Sequence, residues 1–335
     1  MGSWVVEGMV PKGHTVLLLG QPGSLKSWFA QQMAICVSSS KDFINYPTYA
    51  LPTIIIDQDT PSDLLYERLD RIAAGKAVSL KALTETKMLD VRSMTDFQFS
   101  DQKSIKELRE QIKQSSTEVM VIFDSLSSLM KGLNENSTKD ALKVAEAWNE
   151  LKNAGATLIV IHHLSSKKVS NSPDEFLGTA MGNTHLISKS DTILSMVAVP
   201  GSSTRAILNT KARRVHLPVV GPLGLELVEN NIKSWASLIQ LEGVPNFPSD
   251  HAVRIFPLFY IDHQELTVIG VLKQVKGDLS DIEARAALHE LEKEGCVLRM
   301  VEKGTAHRFN YRLSNTMAEK IPVTIYQQEL IKMMP

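Results

Sequence analysis

Short apolar runs alternate along the first two thirds of the chain with longer stretches in which apolar residues recur every three or four positions. The runs Thr15-Val16-Leu17-Leu18-Leu19, Thr53-Ile54-Ile55-Ile56, Val119-Met120-Val121-Ile122-Phe123 and Thr157-Leu158-Ile159-Val160-Ile161 are apolar on both strand faces. Such runs predict strands buried on both sides, as in a parallel sheet. Lys87 to Val91 gives one more strand. Between them, Leu64, Leu65, Leu69 and Ile72 recur at helical spacing after a cap at Thr60 or Ser62, as do Ile105, Leu108 and Ile112 within Ser104 to Gln114. Thr138 to Asn153 and Phe176 to Ser190 complete the helices. Strands alternating with helices predict an α/β fold with helices on both faces of a mostly parallel sheet. Further strands follow at Asp191 to Val197, Arg205 to Thr210, Leu225 to Val228 and Trp235 to Leu241, with a turn marked by Pro218, Gly221, Pro222 and Gly224.

The pattern changes after residue 242. Residues 243–263 are rich in proline and aromatic side chains and predict a linker. Residues 264–315 predict a second, small domain: helices over Leu266 to Val275 and Ser280 to Glu294, then strands over Val297 to Met300 and Arg308 to Leu313 around Lys303-Gly304-Thr305. Helix, helix, hairpin suggests a winged helix. Residues 316–335 form a tail in which Ile321 to Pro335 predicts one more helix.

Charge changes the picture little. The net charge is -1 at pH 7 and the pI about 6.8, so no global basic field advertises nucleic acid, and such binding would need local patches. The second helix of the small domain carries Asp281, Glu283, Glu290, Glu292 and Glu294 against Arg285 and Lys293. A recognition helix so acidic would repel phosphate, so a protein partner is expected there. Cys36 and Cys296 lie in apolar settings and read as buried thiols of a reducing compartment. With no membrane-length apolar run and no signal-peptide pattern at Met1 to Pro11, the expectation is a cytoplasmic protein.

The candidate chemistry sits at the ends of the predicted strands. Gly20-Gln21-Pro22-Gly23-Ser24-Leu25-Lys26-Ser27 follows the first buried run and opens a helix, the context of a phosphate-binding P-loop. Its backbone N–H groups and the helix N-terminus would wrap the β-phosphate of ATP. Lys26 would reach the β- and γ-phosphates, and Ser27 would ligate Mg²⁺. Leu25 stands where the usual pattern has glycine, which requires ordinary backbone angles there. Asp124, at the end of Glu118 to Phe123, has the form of a Walker B aspartate beside the Mg²⁺ shell. Ser125 follows it where many ATPases have glutamate, so a base must come from elsewhere, and Asp57 and Asp59 end the strand after the P-loop helix. Two further groups lie beyond the strand of Thr157: His162-His163, then Lys167 and Lys168 in a serine- and asparagine-rich loop. Lys211-Ala212-Arg213-Arg214 ends a later strand.

The Pro22-Gly23-Ser24 and Lys26-Ser27 residues, Ile56 to Asp59, Phe123-Asp124, His162-His163, Gly178-Thr179-Ala180 and Lys211-Ala212-Arg213 resemble the RepA-type hexameric ATPases of plasmids and phages. These are RecA-fold relatives of the DnaB replicative helicases and of the KaiC group, and the resemblance covers roughly the first two thirds of the chain. It implies a RecA-like P-loop core and a homo-oligomeric, hexameric ring that hydrolyses ATP with Mg²⁺ on single-stranded DNA. It also implies contacts with other replication proteins through the C-terminal domain. By the same resemblance Asp59 takes the place of a glutamate base, His163 senses the γ-phosphate, and Lys211 with Arg213 enters the neighbouring subunit's site. A cation supplied in trans suits a transition state with charge on the γ-phosphoryl group. Lys167 and Lys168 would grip the backbone of single-stranded DNA.

Each residue also has a plainer reading: a solvated strand end for Lys211 to Arg214, a sheet-edge histidine for His163, a surface loop for Lys167 and Lys168. Two rival functions stay open. One is a recombinase-like or KaiC-like ATPase whose nucleotide switches assembly, and the other is a nucleotide-binding scaffold with a decayed site.

Overall fold

A computed structural model describes residues 4–163, 184–198, 203–212, 223–230, 234–241, 255, 265–274, 280–293, 297–301 and 309–313. The chain divides into two compact units. The larger comprises Met1–Ala198 and Ser202–Gln240, the smaller Val199–Gly201 and Leu241–Pro335.

The larger unit opens with a ribbon of β1 (Trp4–Val6) and β2 (Val10–Pro11). A main sheet follows, built on β3 (Thr15–Gly20), β4 (Thr53–Asp57), β5 (Leu89–Ser93), β6 (Val119–Asp124), β7 (Ala156–His163), β8 (Thr192–Ala198), β9 (Arg205–Ala212), β10 (Leu223–Asn230) and β11 (Trp235–Leu241). Its strand order is β11-β10-β9-β8-β3-β7-β6-β4-β5. The six strands from β8 to β5 run parallel, and β9 and β10 join antiparallel beyond β8. Its helices are α1 (Lys26–Ser39), α2 (Ser62–Gly75), α3 (Leu80–Glu85), α4 (Gln102–Gln114), α5 (Leu126–Leu129), α6 (Thr138–Asn153) and α7 (Thr184–Lys189). This is the α/β core expected from the sequence, a mostly parallel sheet with helices on both faces.

Alternation along the central strands divides the apolar side chains between two cores, one on each face. Val16 and Leu18 of β3 join Phe29 and Met33 of α1, with Ile159 and Ile161 of β7. Leu17 and Leu19 join Trp148 and Leu151 of α6, with Leu158 and Val160. Both faces are covered, which is why these strands are apolar at every position. The amphipathic α4 buries Ile105, Leu108 and Ile112, and Asp101 caps it by accepting the N–H groups of Lys103 (3.0 Å) and Ser104 (3.1 Å). That cap starts the helix two residues before Ser104, where the apolar spacing places its start. The strand expected over Lys87 to Val91 forms instead over Leu89–Ser93, because Lys87 takes a positive φ of 59° in the turn that leaves α3.

Two buried polar devices fix the sheet's edges. Asp191 accepts the Thr15 N–H (2.9 Å) and pairs with Lys152 (2.8 Å), tying β8, β3 and α6 at the edge where β3 begins. Gln32 of α1 behaves like a peptide group towards β11, donating to the Leu238 carbonyl (2.7 Å) and accepting the Leu238 N–H (2.5 Å). The helix that carries the P-loop lysine is therefore bonded to the far strand.

The smaller unit contains α8 (Val268–Gln274), α9 (Asp281–Lys293) and a sheet of β12 (Leu266–Thr267), β13 (Val297–Val301) and β14 (Phe309–Leu313) in the order β12-β14-β13. Leu266 and Thr267, expected to begin a helix, pair with Tyr311 and Asn310 instead. Residues 316–335 and most of the linker lie outside the described residues, and of the helix expected over Phe176 to Ser190 only Thr184–Lys189 is described. Among the described residues no helix is long and apolar enough to cross a membrane.

Leu25 departs from expectation. It has φ 65° and ψ 12°, in the left-handed region that favours glycine. That conformation costs a leucine about 1–2 kcal/mol. Its side chain is only 8% exposed and joins the core containing Phe29 and Met33, where burial contributes about 1.5–3 kcal/mol. Packing offsets the strain, so the loop keeps a glycine-like backbone without glycine. Leu25→Ala loses the packing and keeps the strain, and should destabilise by ~2–5 kcal/mol in denaturant unfolding. Leu25→Gly should be about 1 kcal/mol more stable than the alanine variant, since only the alanine retains the strain.

Candidate nucleotide site

The parallel strands end together on one edge. Register places Gly20 beside His163, Asp57 beside Asp124, and Asp57 beside Ser93. The P-loop leaves β3 at Gly20, where a Cβ would lie 2.4 Å from the Met196 carbonyl oxygen and 2.5 Å from Ser24 Oγ. Only glycine fits a chain that turns this tightly under its own loop. Gly23, φ 80°, makes the second turn. α1 then starts at Lys26, so the loop runs directly into the positive end of a helix.

Lys26 is buried, and its ammonium donates to the Gln21 carbonyl (2.6 Å) and to Ser24 Oγ (3.3 Å). The Ser24 hydroxyl donates to the same carbonyl (2.8 Å). Burial pulls the Lys26 pKa down to about 8, although Asp124 pulls the other way. Asp124 is 4% exposed. Burial first, and then the neighbouring Asp57 charge, pushes its carboxyl up to about 7, against the effect of a hydrogen bond from Ser27. Asp57 is fully buried; its Oδ1 accepts the N–H groups of Asp59 (2.9 Å) and Thr60 (2.8 Å). Burial raises its pKa too.

Asp59 is exposed and accepts a hydrogen bond from the Ser128 hydroxyl, which in turn lies 3.2 Å from Ser125 Oγ. His163 is half-buried, with an Nδ1 that has no hydrogen-bond partner among the described residues. Burial and the Lys26 charge lower its pKa, while Asp59 acts to raise it. The direction favours the neutral imidazole, within electrostatic reach of both the loop lysine and Asp59.

The structure thus brings Lys26, Ser27, Asp59, Asp124 and His163 to one sheet edge. Lys211 lies on β9, in register with Ile193. Lys167, Lys168 and Arg213 lie outside the described residues. Ser128 escapes sequence reasoning: its link to Asp59 spans residues 69 apart, and its only signal is a place one helical turn beyond Ser125. The burial of Asp57 was equally invisible, because its carboxylate reads like that of Asp59.

The residues fit nucleotide and Mg²⁺. The loop that turns at Gly20 leads into a helix N-terminus, which favours phosphate, and Ser27 and Asp124 offer the hard oxygens this ion prefers. Residues 2–168 match a family model described as an AAA domain. The match spans the P-loop, Asp59, Asp124 and His163, and supports a nucleotide-binding P-loop ATPase. No curated protein matches the chain. Among solved structures, a KaiC-like protein from the hyperthermophilic archaeon Pyrococcus horikoshii OT3 aligns over 70% of this chain and 93% of that one, at 14% identity and a TM-score of 0.49.

Two expectations follow from the shifted groups. A carboxyl raised from 3.8 to about 7 holds a proton in the folded state that the unfolded chain has lost, so stability falls as pH rises between those values. Asp124→Asn should therefore stabilise the nucleotide-free protein by a few kcal/mol at pH 7.5 and by nothing near pH 4, read as thermal midpoints. Lys26 is largely neutral above pH 8, and a bound phosphate favours its charged form. Calorimetry at pH 9, in buffers of different ionisation enthalpy, should find proton uptake on ATP binding that Lys26→Ala abolishes.

Proposed function

We propose that the chain is a Mg²⁺-dependent ATPase that works as a hexameric ring on single-stranded DNA, as a helicase or translocase in the replication of a mobile element. The observation that carries the ATPase part is the convergence of Lys26, Ser27, Asp124, Asp59 and His163 at the C-terminal edge of the parallel sheet.

In this reading the loop amides and Lys26 hold the β- and γ-phosphates. Ser27 and Asp124 would hold the magnesium ion, which would supply charge neutralisation at the phosphates. Asp59 orients the attacking water and takes its proton, with Ser128 bonded to its carboxylate. His163, uncharged, can hydrogen-bond a γ-phosphate oxygen without adding a cation of its own. Lys211 and Arg213 arrive from the next subunit to stabilise the transferring group, and Lys167 and Lys168 bind the DNA backbone. The smaller unit, read as a winged helix, contacts a neighbouring subunit or another replication protein; the acidity of α9 favours a protein partner.

A second reading keeps nucleotide binding and drops the motor: a KaiC-like or recombinase-like switch, or a scaffold. Asp59, shorter by a methylene than the glutamate of the resembled family, favours it.

Phosphate release with and without single-stranded DNA separates them. For the motor, DNA stimulates turnover, Lys26→Ala abolishes it, and Arg213→Ala lowers it ~10³-fold or more while the assembly seen by light scattering persists. Turnover indifferent to DNA and to Arg213 would favour the switch, and ATP binding without phosphate release the scaffold.

A further inference from the structure

The geometry points to Asp57 as a second carboxylate of the divalent-cation site, a role that rests on the proposed nucleotide site and adds a ligand group to it. Asp57 and Asp124 are register partners on adjacent parallel strands, so both side chains leave the same face of the sheet. Both are buried, at 0% and 4% exposure.

The two oxygens of Asp57 do different work. Oδ1 caps the turn after β4, taking the N–H groups of Asp59 and Thr60. Oδ2 is buried and has no hydrogen-bond partner among the described residues. A turn cap needs one oxygen and no charge; asparagine would serve as well. The charge of Asp57 therefore has no use in the loop.

Among the described residues it also has no side-chain counterion. None of the ion pairs among the described residues involves Asp57, and the Lys26 ammonium is committed to Gln21 and Ser24. Two desolvated carboxylates side by side repel one another when charged, an arrangement that a divalent cation with oxygen preferences relieves. Asp57 would act on that ion directly or through one of its waters, alongside Ser27 and Asp124.

Manganese(II) is the probe, because its free and bound forms differ in electron paramagnetic resonance. Wild type, Asp57→Asn and Asp124→Asn are titrated as full chains, without nucleotide and with ATP. Asparagine keeps an oxygen for the Asp59 and Thr60 amides, so the turn is retained, and circular dichroism checks the fold. Loss of a group beside the ion should weaken manganese binding about 10- to 100-fold in Asp57→Asn, with affinity for metal-free ATP unchanged. A second readout is the thermal midpoint, which manganese should raise in wild type and much less in Asp57→Asn. If Asp124→Asn loses the ion while Asp57→Asn binds it like wild type, Asp57 is a turn cap only and the inference fails. If Asp124→Asn also binds it like wild type, the cation site itself is misplaced and the nucleotide reading falls with it.

Discussion

Two carboxylates and an ammonium buried at the ends of neighbouring strands are costly to desolvate, and the larger unit is built to hold them there. Asp124 and Asp57 stand side by side on β6 and β4, and Lys26 begins the helix that β3 delivers through the P-loop. Without a polyanion and a cation in this space, the carboxyls are driven towards protonation and the lysine towards neutrality. The fold tolerates that because the surrounding interactions are strong. Apolar cores cover both faces of the sheet, Asp191 locks its other edge, and Gln32 bonds the P-loop helix to β11.

The same trade appears inside the loop. Leu25 holds a backbone conformation that glycine would adopt freely, and its buried side chain offsets the strain. The P-loop is thereby anchored to the core rather than left supple. In the proposed nucleotide site, Mg²⁺ and phosphate together would restore charge to the carboxyls and to Lys26.

Much of this was legible in the amino-acid sequence. The unbroken apolar runs at Thr15, Thr53, Val119 and Thr157 could only be strands covered on both faces, and the residues after them had to meet at one edge. Lys26, Ser27, Asp59, Asp124 and His163 were placed at that edge in this way. What was not legible depends on contacts distant in sequence. Ser128 reaches Asp59 across the sheet edge, and Gln32 bonds a strand more than two hundred residues on. Asp57 and Asp59 are both carboxylates after the same strand, yet one is buried and the other exposed. Leu25 misled for a different reason: the glycine usual at this place marks a positive φ, and the backbone keeps that angle with leucine in its stead.

Hydrogen exchange of the full chain with and without Mg²⁺-ATP tests the central claim, that nucleotide binds at the C-terminal edge of the sheet, most directly. The account predicts slowed exchange at the amides of residues 21–27, 58–60 and 125–128, with β9 to β11 little changed. Saturating nucleotide that leaves residues 21–27 unprotected, or protects another region instead, would contradict it.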